Sequence, residues 1–119
     1  MTYNISENRN LSDVEFNLLK YLFKKEKPEW INIINNLKVI GKCGCGECPT
    51  IMFGENYDSK ILKNQKLLID YVGKNKENNL IGIIIFGNKK TPTELEFYSI
   101  DSLTKEIKLS EIHSLEKNI

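Results

Sequence analysis

The stretch Asn79-Leu80-Ile81-Gly82-Ile83-Ile84-Ile85-Phe86-Gly87-Asn88, NLIGIIIFGN, decides how the rest of the chain is read. It is apolar at successive rather than alternate positions, rich in β-branched isoleucine, and bounded by asparagines. A run of this length and composition predicts a strand, and apolarity on both sides predicts a central strand covered on both faces, with Ile84 in the core. The run falls far short of the roughly 20 residues needed to cross a bilayer as a helix.

Working outward, QKLLIDYVG upstream alternates Leu67, Ile69 and Tyr71 against Leu68, Asp70 and Val72, and KENN joins it to the central strand as a tight turn. Downstream, GNKKTPT makes a second turn into TELEFYSI, where Leu95 and Phe97 point one way and Glu94, Glu96 and Tyr98 the other. Residues 65–99 therefore predict a three-stranded antiparallel meander. KVIGK and TIMFGE, on either side of the cysteine segment, have strand character, and Lys105 to Leu115 suits a short edge strand or a terminal helix.

The first third has a different period. Leu11-Ser12-Asp13-Val14-Glu15-Phe16 is a helix start in which Ser12 caps, Glu15 reaches back and Leu11 staples onto Phe16. A helix over about 13–25 follows, burying Phe16, Leu19, Leu22 and Phe23. Pro28 suits the first position of a second helix carrying Trp30, Ile31, Ile33, Ile34 and Leu37. The expected class is α+β: two N-terminal helices packed on an antiparallel sheet of about four to five strands, in a single globular domain over 1–119.

Composition narrows the function. Seventeen basic residues against sixteen acidic ones, with Arg9 the lone arginine, give no field suited to nucleic acid. The polar N-terminus MTYNISENRN has no signal-peptide pattern, and an odd cysteine count fits a reducing compartment, so a cytoplasmic protein without membrane association is expected. Charge is uneven: lysine dominates 61–90, while 91–119 carries Glu94, Glu96, Asp101, Glu106, Glu111 and Glu116 against three lysines.

The densest chemical signature is GKCGCGECPT, which holds all three cysteines, Cys43, Cys45 and Cys48. Three thiolates supply three of zinc's four ligands, but the lone histidine, His113, lies 65 positions past Cys48 and no second ligand pair exists. Cys45-Gly46-Glu47-Cys48 has redox spacing, yet Pro49-Thr50-Ile51 after it is strand-like, without the helix N-terminus that lowers a thiol pKa. A structural role in a crowded strand or bulge is the preferred reading, with no metal or cofactor expected. Neither a nucleophile with a base, a phosphate loop nor a metal loop can be assembled, so an enzyme is not expected.

The segments VIGKCGCGECPTIMF and GIIIFGNKKTPTELEFYSID resemble a family of small bacterial proteins in which a helix pair precedes a cysteine-glycine segment ending in Cys-Pro. An apolar strand and a Leu-Glu-x-Tyr strand follow, here Leu95-Glu96-Phe97-Tyr98; Glu47 lengthens the compact Cys-Gly-Cys-Pro arrangement by one residue. Such small single-domain proteins resemble immunity proteins of bacterial toxin systems, including contact-dependent growth inhibition. The resemblance implies a binding protein that blocks a cognate toxin, such as a basic nuclease, by direct contact. Glu94, Glu96, Tyr98 and Asp101 are the expected partner-binding residues; a small zinc-binding interaction module or a housekeeping domain is the alternative.

Overall fold

In the computed structural model, which describes residues 4–44, 48–56 and 65–118, every strand pairing is antiparallel. The strands are β1 (Asn4–Asn10), β2 (Lys38–Cys43), β3 (Ile51–Gly54), β4 (Lys66–Lys74), β5 (Leu80–Gly87), β6 (Pro92–Ser99) and β7 (His113–Lys117). They form one sheet in the order β1-β2-β3-β6-β5-β4-β7. The helix α1 (Asp13–Glu26) lies between β1 and β2 in the chain.

The start of α1 is the one its sequence prescribes. The Glu15 backbone N–H donates to Ser12 Oγ at 3.2 Å, and Ser12 N–H donates to Glu15 Oε1 at 2.8 Å, so two N–H groups otherwise left without helical partners are satisfied reciprocally. Leu19, Leu22 and Phe23 are fully buried, and Phe16 is partly so. At the far end, Phe23 meets Trp30 edge-on with ring centroids 5.3 Å apart.

The expected α+β arrangement of two helices on four to five strands is corrected on both counts. Among the described residues there is one α-helix and a seven-stranded sheet, so the fold is mostly β. The second helix is replaced by two 3-10 turns, Pro28–Asn32 and Ile34–Asn36. Nine residues containing three asparagines cannot offset the cost of nucleating an α-helix, and their apolar side chains reach the core equally well from tighter turns. Trp30, Ile34 and Leu37 are buried in this way.

Beyond the four to five strands expected, the sheet has β1 and β7 at its two edges; β7 takes up the edge-strand alternative for the last segment, over His113–Lys117 rather than from Lys105. Both are polar, NISENRN and HSLEK, and neither carries the apolar alternation of a half-buried strand. Charged edge strands are the usual protection against edge-to-edge association, which removes the signal by which a strand is recognised in sequence. The 65–99 meander is present as β4, β5 and β6 with turns at 75–79 and 88–91. β5 is interior, although the middle place of the seven belongs to β6.

The sheet has an inner face against the helix and an outer face. Ile81, Ile83 and Ile85 of β5 share one buried cluster with Ile69 and Tyr71 of β4, Leu95 and Phe97 of β6, Ile51 and Phe53 of β3, and Leu19, Leu22 and Phe23 of α1. Ile84 has the opposite parity. It is half-buried on the outer face, so its expected place in the core is also corrected.

A candidate interaction face

Register builds the outer face row by row, because residues paired across strands share a face. Asp70, Ile84 and Glu96 form one row across β4, β5 and β6. Phe86, Glu94 and Met52 form the next, across β5, β6 and β3. On the other side, Glu116, Val72, Gly82 and Tyr98 form a row across β7, β4, β5 and β6. Lys74 pairs with Leu80 beyond it, and the Ile100 N–H donates to the Leu80 carbonyl at 3.1 Å.

The expected residues Glu94, Glu96 and Tyr98 therefore lie together on one face. Glu94 and Glu96 are both half-buried, and no hydrogen bond or ion pair reaches either carboxylate among the described residues. Burial pushes the Glu94 carboxyl above the usual carboxylate range, and the neighbouring Glu96 charge adds to it; burial alone raises Glu96. Asp70 differs, since its Oδ1 accepts from Asn118 Nδ2 at 3.2 Å.

The apolar side of the face is open. Tyr98 is 38% exposed, Leu80 36% and Ile100 40%, next to half-buried Val72 and Ile84. A Cβ added to Gly82 would fall on the Tyr98 ring, so the ring lies directly across this glycine. Burial raises the Tyr98 hydroxyl pKa, followed by the charges of Asp70 and Glu96.

Asp101 is placed differently. It lies in the turn after β6, where its carboxylate accepts from Leu103 N–H at 3.0 Å, Leu80 N–H at 3.2 Å and Ser99 Oγ at 3.3 Å. These bonds, that from Leu103 foremost, hold its carboxyl below the usual range. Its oxygens organise the turn beside Leu80. Sequence reasoning did not assign Leu80, Ile100 and Val72 to this face; the parity of β4 and β5 carries that signal once strand register is known.

Cys43 ends β2, buried, and its N–H donates to the Thr50 carbonyl at 3.1 Å, closing the β2–β3 connection. Cys48 is half-buried, and Cys45 lies outside the described residues. Among the described residues no three histidine, cysteine or acidic side chains are grouped so as to hold a metal ion. His113, in β7, contacts the Asn75 carbonyl and Ser114 Oγ through its two ring nitrogens. No helix among the described residues is long and apolar enough to cross a membrane.

Comparisons with protein-family models, curated proteins and solved structures find no match to this chain.

Proposed function

We propose that this chain is a protein-binding protein whose outer sheet face docks a basic partner, as an immunity protein does its cognate toxin. One observation carries the reading: two half-buried carboxylates with no counter-charge among the described residues, Glu94 and Glu96, stand beside the exposed apolar residues Tyr98, Leu80 and Ile100. The carboxylates have already lost part of their hydration in the free protein. Much of the desolvation cost of pairing them is therefore met before a partner arrives. The apolar residues supply area and an aromatic anchor, and the charges supply attraction over distance.

The experiment is co-purification with the product of the neighbouring gene, followed by binding kinetics at two salt concentrations. Glu94→Lys together with Glu96→Lys is expected to slow association and reduce its salt dependence, because charges at this range are screened beyond about 8 Å at physiological ionic strength. Tyr98→Ala is expected to speed dissociation, by about thirtyfold if the ring is an anchor worth ~2 kcal/mol. Unchanged binding in both variants would remove this face from the interface.

A further inference from the structure

Along β6 the outward side chains are Glu94, Glu96 and Tyr98, at alternate positions of one extended strand. Their spacing is about 6.8 Å per two residues. The two acidic positions are adjacent and come first; the apolar ground formed by Tyr98, the Gly82 it covers, Val72 and Leu80 comes after. Charge also changes along this line. Among the described residues Glu94 and Glu96 have no counter-ion, whereas Lys74 is paired in register with Leu80 at the apolar end. Asp70 lies in the Glu96 row and is already bonded to Asn118; Glu116 lies in the Tyr98 row.

Resting on the docking reading above, we infer that the partner meets this face with an extended segment of the pattern cation-x-cation-x-apolar. Two lysine or arginine side chains at alternate positions lie over Glu94 and Glu96, and the apolar side chain two residues further covers Tyr98 and Leu80. The match follows from a shared period of two: side chains on one side of a strand recur at the same spacing as those of β6. A helix places successive side chains of one face three or four residues apart and about 5–6 Å from one another, and its axis rises only 1.5 Å per residue, so it does not keep this register. Lys74 repels a cation at the Leu80 end, which fixes the polarity of the pattern relative to β6.

The test is an amide NMR titration of the full chain with three seven-residue peptides of one composition. The first is Ser-Lys-Thr-Lys-Thr-Leu-Ser, the second its reverse, since the segment can run either way along β6, and the third the register control Ser-Lys-Thr-Leu-Thr-Lys-Ser. One of the first two is expected to shift amides of 80–84 and 94–98 saturably and to bind at least about threefold more tightly than the control, which with its leucine over Tyr98 keeps a lysine over Glu96 and loses the ion pair at Glu94. That preference is expected to vanish in the Glu94→Gln, Glu96→Gln double variant, which keeps shape and removes charge. Equal binding of the control, binding unchanged in the double variant, or shifts elsewhere on the chain would overturn the inference, as would no binding by either ordered peptide. The docking reading is judged apart: if the Lys reversals abolish the complex with the intact partner while the peptides show no register preference, the inference falls and the reading stands. If the reversals and Tyr98→Ala both leave that complex intact, the reading falls, and the inference falls with it.

Discussion

The ring of Tyr98 lies across Gly82, its register partner on β5, filling the space that any side chain at position 82 would need. The glycine thus decides where the aromatic group of the outer face sits. Gly82→Ala is expected to displace the ring and to destabilise by about 1–3 kcal/mol, as overpacking does. The Gly82→Ala, Tyr98→Ala double variant is expected to lose less than the sum of the single changes, since both act on one contact. Urea unfolding of the four proteins checks this; additive losses would mean that ring and glycine are energetically independent.

A second expectation contrasts neighbours on β5. Ile83 is fully buried in the core shared with α1, whereas Ile84 is half-buried between Asp70 and Glu96. Ile83→Asp places an unpaired charge in the core at a cost of several kcal/mol, comparable with the ~5–15 kcal/mol that hold a domain together. It is expected to abolish cooperative thermal unfolding. Ile84→Asp is expected to retain it, with a lower midpoint, because its carboxylate has access to water. Equal loss in both would place the outer face inside the core.

The Arg9 to Glu15 pair joins β1 to α1. Arg9 Nη1 and Nη2 donate to the two Glu15 oxygens at 2.7 and 2.8 Å, and Ser12 N–H adds a third bond. Burial pushes the Glu15 carboxyl up, but the bonds from Arg9 and Ser12 reverse this and leave it below its usual range. A depressed folded pKa contributes stability that is complete above the unfolded value of about 4.3 and is lost as pH falls through the folded one. Glu15→Gln is therefore expected to destabilise at pH 7, by ~1–3 kcal/mol with allowance for the partly exposed arginine, and the gap to the parent protein should shrink in acid. Melting temperatures from pH 7 down to 3 provide the check.

Glu94 carries the opposite sign. Its folded pKa is raised, by burial first and the Glu96 charge second. A raised carboxyl pKa means that the charge costs folded stability; the cost sets in as pH rises above the unfolded value and is complete above the folded one. Glu94→Gln is expected to raise the melting temperature at pH 7 and to have no such effect at pH 3. A lower melting temperature at pH 7 would show that the carboxylate is paired in solution. Stabilisation accompanied by weaker partner binding would mark a residue kept for contact at the expense of the fold.

The link from Tyr71 to Glu26 ties the sheet to the end of α1. The Tyr71 hydroxyl donates to Glu26 Oε2 at 2.8 Å, and Lys117 of β7 lies 3.2 Å from the other oxygen. Burial, then the bond to Glu26, pushes the tyrosine pKa up to about 12. Because the unfolded chain ionises first, near pH 10, this tyrosine lowers stability as pH rises from 10 towards 12. Tyr71→Phe is expected to cost about 1 kcal/mol at pH 7 through the lost hydrogen bond and to flatten that alkaline decline. An alkaline unfolding profile identical to that of the parent protein would refute the assignment.

What the sequence determined by itself is local. Ser12 and Glu15 cap a helix because the groups that bond are three residues apart, and the alternation in TELEFYSI puts Leu95 and Phe97 opposite Glu94, Glu96 and Tyr98 because successive side chains of a strand face opposite ways. KENN and GNKKTPT likewise carried their turns. Tertiary structure decided the rest, in each case through pairing between distant segments. NISENRN and HSLEK are polar in themselves and become strands because β2 and β4 offer them a hydrogen-bonding edge. Ile84 is as apolar as Ile83, and only the parity imposed by β4 and β6 separates the one that meets water from the one that meets α1. The same register gathers Leu80 of one strand and Tyr98 of the next beside Glu94 and Glu96, a grouping that sequence spacing could not supply because it exists only after the strands have paired.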